Sequence, residues 1–121
     1  MSHNLSELSE RFQAFNRARD WGKFHSPKNV LLSLISEVGE LSEHFRWRDG
    51  DELSAYVQDP VSREKVKLEL GDVFLNILLF SQSVGIDLVD AGEAALEKNA
   101  RNYPEDAARG QHKKLKNGDA A

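Results

Sequence analysis

Apolar residues recur at intervals of three and four along this chain, and nowhere do they alternate with polar ones in the period of a β-strand, which restricts the fold to packed helices. Leu5, Leu8, Phe12 and Phe15 mark a first helix over residues 4–20, opened by Asn4 and Glu7 in the form of a capping box. Ser26-Pro27 starts a second helix, because proline in the first turn lacks only an N–H that would have no partner there. Its Leu31, Leu34, Ile35, Val38, Leu41 and Phe45 form one broad apolar face that reaches roughly Trp47, before Asp49-Gly50-Asp51 breaks it. Residues 51–59 suit a short helical turn. Asp59-Pro60 begins a third helix with Val66, Leu70, Val73, Phe74, Ile77, Leu78 and Val84 on its period, and Gly85 ends it. Asp87 caps a fourth, which stops before Tyr103-Pro104 because the residue ahead of a proline disfavours helical dihedrals. Four main helices with short connections predict an all-α four-helix bundle of antiparallel helices. The third is apolar around much of its girth, which predicts a central position and oligomerisation through helical faces.

With 121 residues, 40% of them hydrophobic, the chain can bury one modest core, so residues 1–110 are read as a single domain and 111–121 as a polar basic tail. The absence of cysteine excludes a disulfide framework and Cys-based metal sites. The net charge is −4, and residues 101–121 hold five Lys/Arg against three Asp/Glu, so the preceding body is the acidic part and a nucleic-acid partner is not expected. The opening MSHNLSELSE is polar, and no apolar run approaches the ~18 residues that span a membrane. A soluble, cytoplasmic protein with no membrane partner is expected.

Two acid pairs carry the chemistry. Glu37 and Glu40 lie three apart in the second helix, hence on one face, and Glu37 has the core residues Leu34 and Leu41 one turn away. Glu69 and Asp72 repeat the arrangement in the third helix, flanked by Val66 and Val73. Four carboxylates packed together without a cation would repel one another and lose hydration. An all-oxygen set of this size suits Mg²⁺, with Mn²⁺ as a substitute, and argues against zinc. Each pair encloses a glycine, Gly39 or Gly71, although an interior helical glycine costs about 1 kcal/mol relative to alanine. Close helix contact, or space beside the acids, would account for it. A di-iron bundle would add Glu-x-x-His motifs, but position 43 is Glu and position 75 is Leu.

The run from Trp21 through Lys23, His25, Pro27 and Asn29, followed by Glu37-Val38-Gly39-Glu40, Phe45-Arg46-Trp47, Glu69-Leu70-Gly71-Asp72 and Lys98-Asn99-Ala100-Arg101-Asn102-Tyr103-Pro104, resembles the MazG-like all-α nucleotide pyrophosphohydrolases, nearest to their dCTP pyrophosphatase branch. The resemblance covers roughly residues 5–110. It implies that Glu37, Glu40, Glu69 and Asp72 are the catalytic and Mg²⁺-holding acids, and that water activated at the metal attacks the α-phosphorus of a nucleoside triphosphate, releasing pyrophosphate. It also implies a nucleoside pocket from Trp21, His25, Trp47, Asn99 and Tyr103, with Lys98 and Arg101 towards phosphate. Indole and phenol rings offer stacking faces, and an amide supplies both donor and acceptor. Ser36 stands where many relatives carry a further Glu, so either Glu37 or metal-activated water alone would generate the nucleophile; the dCTP branch shares this departure. The expected substrate is dCTP or base-modified dCTP, in house-cleaning or pool control by a homodimer or homotetramer. The alternatives are dUTP or a broad range of triphosphates and, in a different class, a non-catalytic helical dimerisation or regulatory module.

Overall fold

Helix starts follow the caps written into the sequence. In the computed structural model, which describes residues 4–110, the helices are α1 (Leu5–Ala18), α2 (Pro27–Glu43), α3 (Gly50–Gln58), α4 (Pro60–Val84), α5 (Leu88–Asn102) and α6 (Glu105–Ala108), with one 3-10 turn at Gly22–Phe24. There is no strand among the described residues. The four long helices expected are α1, α2, α4 and α5. The side chains of Asn4, Ser26, Asp59 and Asp87 each accept a hydrogen bond from the N–H three residues on, at 3.1, 3.2, 3.2 and 2.9 Å. Gly85 closes α4 with φ of 69°, a left-handed conformation that glycine adopts without steric cost.

Two ends differ from expectation. The second helix stops at Glu43 instead of near Trp47, because its hydrogen bonds tighten to the three-residue spacing: His44 N–H donates to the Leu41 carbonyl and Phe45 N–H to that of Ser42. Asp49-Gly50-Asp51 is not only a break but the start of α3, a nine-residue helix rather than a single turn. Asp59 alone joins α3 to α4, ending one and capping the other.

The chain divides into two compact units, one ending at Gly85 and the other beginning at Ile86. In the first, α4 is the helix against which α2 and α3 pack, in keeping with its apolar girth. Residues Val30 and Ser33, early in α2, share a cleft with Leu75, Asn76 and Leu79, late in α4, whereas Glu37 and Glu40 meet Glu69; the two helices therefore run antiparallel. Gln82 Nε2 of α4 donates to Ser9 Oγ of α1 at 2.9 Å. In the second unit, α5 is followed at Tyr103-Pro104 by the short α6. The basic tail, 111–121, lies outside the described residues. No single helix among those described is long and apolar enough to cross a membrane.

The face of α2 that meets α4 is not the one its apolar residues suggest. Val30, 2% exposed, and the half-buried Glu37, seven residues on, stand on the contact side, and the half-buried His44, seven further, meets Tyr56 of α3. Leu34, Leu41 and Phe45 flank them half-buried, whereas Leu31, Ile35 and Val38 are 43%, 63% and 46% exposed. The apolar stripe is thus split, and an acid stands in its contact line.

Candidate functional site

This register in α2 brings three of the four paired acids together. Carboxylate oxygens of Glu37, Glu40 and Glu69 all lie within 4.8 Å of one another. Glu37 and Glu69 are half-buried and Glu40 is exposed. The Oε2 atoms of Glu37 and Glu69 are withdrawn from solvent and have no hydrogen-bond partner among the described residues. Burial pushes the Glu37 carboxyl above its ordinary value; the charge of Glu40, a hydrogen bond to Glu40, and the charges of Asp72 and Glu69 push it further. Asp72, one methylene shorter than glutamate, is not in the close group, but its charge reaches Glu37 and it lines the neighbouring cleft. Neither Gly39 nor Gly71 is required by close helix contact, since a Cβ at either would meet nothing within 4 Å. A Cβ at either position would stand in open space.

Two shielded carboxylate oxygens without donors are costly as they stand, and buried oxygen donors of this kind are what a hard divalent cation coordinates. The residues present therefore fit Mg²⁺ or Mn²⁺, with Glu37, Glu40 and Glu69 as the near set and Asp72 beside it.

Asp72 also borders a cleft of about 380 Å³ lined by Trp21, Phe24, His25, Asn16, Asn29, Ser33 and Asn76, with Phe12, Val30, Leu75 and Leu79 as apolar walls. Local backbone chemistry aims Trp21 there. Asp20 adopts φ of 52°, left-handed, so that its N–H bonds the Arg17 carbonyl and the Trp21 N–H bonds that of Asn16, both at 3.1 Å. This is a Schellman closure with aspartate in the glycine position, and the indole packs edge-on against Phe15 at 5.6 Å, the apolar contact that accompanies the motif.

Of the sequence-predicted site residues, the structure brings together Glu37, Glu40, Glu69, Asp72, Trp21 and His25. Trp47 is not among the cleft's lining residues; it stands 77% exposed on the turn after α2, with the Arg46 guanidinium 4.7 Å from its ring. Lys98, Asn99 and Arg101 lie on α5 and Tyr103 at its end, in the second unit, where the Tyr103 N–H donates to the Asn99 carbonyl at 2.8 Å. Sequence reasoning missed Asn16, Ser33 and Asn76. Register could have found them: Asn16 is a polar residue four after Phe12 on an apolar stripe, Ser33 is four before Glu37, and Asn76 is four after Asp72. Asn76 Nδ2 donates to the Asp72 carbonyl at 2.9 Å.

Residues 25–106 match the family model described as the MazG nucleotide pyrophosphohydrolase domain. The chain is 34% identical over 110 residues to dCTP pyrophosphatase 1 of Homo sapiens, covering 91% of this chain and 65% of that protein. It is 33% identical over 106 residues to dCTP pyrophosphatase 1 of Bos taurus, covering 88% and 63%. The chain thus spans a little under two thirds of the length of these curated relatives. The crystal structure of a pyrophosphatase from Archaeoglobus fulgidus superposes with a TM-score of 0.76 at 32% identity, over 86% of this chain and 95% of that one.

Proposed function

The chain belongs to the MazG nucleotide pyrophosphohydrolase family, a family of hydrolases, and on that premise we propose that it hydrolyses a deoxynucleoside triphosphate to the monophosphate and pyrophosphate with Mg²⁺, taking dCTP and base-modified dCTP as preferred substrates. One observation carries the reading: two shielded, unpartnered carboxylate oxygens, Glu37 Oε2 and Glu69 Oε2, inside a three-acid cluster whose neighbour Asp72 opens onto an aromatic and amide-lined cleft. A solvated acidic surface, as in a purely structural helical module, would not withdraw those oxygens from water.

Glu37, Glu40, Glu69 and Asp72 would hold the metal, which when bound neutralises the roughly four negative charges of a triphosphate and makes water a better nucleophile. The remaining work falls to the chain's own groups. The cleft volume suits a nucleoside. Trp21 and Phe24 offer it ring faces, while Asn16, Asn29, Asn76 and His25 offer hydrogen-bonding groups. Asp72 borders both cleft and acid cluster, so a base held in the cleft sets its α-phosphorus beside the carboxylates. The water oxygen forms a bond to that phosphorus, the bond to the bridging oxygen breaks, pyrophosphate leaves, and a carboxylate of the cluster takes the water's proton. By family resemblance, Trp47, Lys98, Asn99, Arg101 and Tyr103 are proposed as substrate-binding residues.

The same reading includes self-association as a homodimer or homotetramer. Large apolar side chains left exposed, Leu31, Ile35 and Val38 on α2 and Leu70 and Phe74 on α4, support association through helical faces. A cytoplasmic, house-cleaning role accompanies it, with residues 1–110 as the functional domain.

Incubation with a panel of nucleoside and deoxynucleoside triphosphates plus Mg²⁺, followed by phosphorus NMR, tests the proposal. Monophosphate with pyrophosphate, fastest from cytosine deoxynucleotides, is expected. Diphosphate with inorganic phosphate, or no turnover across the panel, would overturn it.

A further inference from the structure

Glu40 has the least support of the three clustered acids. It is exposed where Glu37 and Glu69 are half-buried, and it lies in the last turn of α2, which ends at Glu43. A terminal helical turn has carbonyls without intrahelical partners and opens locally at small free-energy cost. A ligand on such a turn is held loosely unless something else secures the helix end.

Three half-buried side chains do so, and none of them belongs to the acid cluster or the cleft. His44, one turn beyond Glu40, is the C-cap of α2. Its Nδ1 and the hydroxyl of Tyr56, on α3, share a hydrogen bond of 2.6 Å. Arg48 donates from a guanidinium nitrogen to the His44 carbonyl at 2.8 Å, placing a cation at the negative end of the helix dipole. The same guanidinium sits 3.7 Å from the centre of the Tyr56 ring. The contacts close a loop from the His44 carbonyl through Arg48 and Tyr56 back to the His44 ring, and α3 itself packs on α4, the helix that supplies Glu69.

We propose that Tyr56, acting with Arg48 through His44, is a positioning residue for Glu40: it locks the last turn of α2 so that the Glu40 carboxylate is held against Glu37 and Glu69 in cation-binding geometry. Metal sites lose affinity when a ligand is displaced by about 0.5 Å, so preventing the turn from opening registers directly in affinity. The inference rests on the metal-centre reading above.

The test uses the full chain, free Mn²⁺ as probe and electron paramagnetic resonance to count unbound ion. Tyr56→Phe keeps the ring under Arg48 and removes only the hydroxyl. It should weaken Mn²⁺ binding about three- to tenfold, the range of one net hydrogen bond. It should also speed amide exchange at residues 44–46 in the metal-free protein. The discriminating measurement is a double-mutant cycle. In a Glu40→Gln background Tyr56→Phe should cost less than about twofold, while in a Glu69→Gln background the full loss should persist. Equal losses in both backgrounds would mean general loosening of the fold and overturn the proposal, as would unchanged Mn²⁺ affinity in Tyr56→Phe. Arg48→Met is the second variant and should give the same pattern. If the parent chain binds no Mn²⁺, the metal-centre reading falls along with this inference; if it binds and Tyr56→Phe is silent, only the inference falls.

Discussion

Replacing Glu37 with glutamine should make the metal-free protein more stable and the metal-supplied protein less so. In the metal-free chain the Glu37 Oε2 is shielded and unpartnered, and Glu40, Asp72 and Glu69 oppose its ionisation. Leaving a buried polar atom unsatisfied costs about 1–3 kcal/mol. Glu37 is only half-buried, so the lower end applies, about 1 kcal/mol, or ~4 °C in melting temperature for a chain of this size. The pH dependence has a definite sign. A carboxyl raised in the folded state binds its proton more tightly there than in the unfolded chain, so its contribution is fully present below the unfolded value and is lost as pH rises through the folded one. Melting in EDTA should therefore fall from mildly acidic to neutral pH in the parent, and less steeply in Glu37→Gln. With Mg²⁺ at a hundredfold excess over Kd the parent should gain about 2.7 kcal/mol, and the variant much less. Differential scanning fluorimetry in EDTA and in Mg²⁺, across pH, reads all three. A variant destabilised equally under both conditions would refute the reasoning and make Glu37 an ordinary structural residue.

Asp72→Asn should abolish pyrophosphate release while far-ultraviolet circular dichroism stays unchanged, since the Asp72 carboxylate is exposed and it is the backbone carbonyl that bonds Asn76. Asp20→Gly should raise stability by about 0.5–1 kcal/mol in urea denaturation, because φ of 52° strains any residue with a Cβ, and Asp20→Val should lower it. Ile35→Glu, on the exposed flank of α2, should shift light-scattering mass towards the monomer with less than about 0.5 kcal/mol change in the stability of the isolated fold.

Much of the architecture is local and was legible. Ser26-Pro27, Asp59-Pro60, Gly85 and Asp87 set helix boundaries because a cap satisfies groups within its own turn, whatever lies beyond. The three-residue spacing of Glu37 with Glu40 and of Glu69 with Asp72 put each pair on one helical face for the same reason. Periodicity carries α2 past its end at Glu43 because Phe45 and Trp47 continue the apolar period, while the Arg48 contact to the His44 carbonyl is invisible to periodicity.

What the helices do to one another lay beyond that reach. The period of α2 points Leu31, Ile35 and Val38 inwards, yet packing turns Val30 and Glu37 to α4 and His44 to Tyr56 of α3, and leaves that flank exposed. Desolvation is the reason: it is a property of everything around an atom, and no window of one helix reports it. From sequence alone, two acid pairs on two helices and the chemistry they suit were determined. Only tertiary structure decided that Glu37 and Glu69 each withdraw an oxygen from water, that Asp20 swings Trp21 into a cleft bordered by Asp72, and that Tyr56 from a separate helix shares a hydrogen bond with His44 at the end of α2.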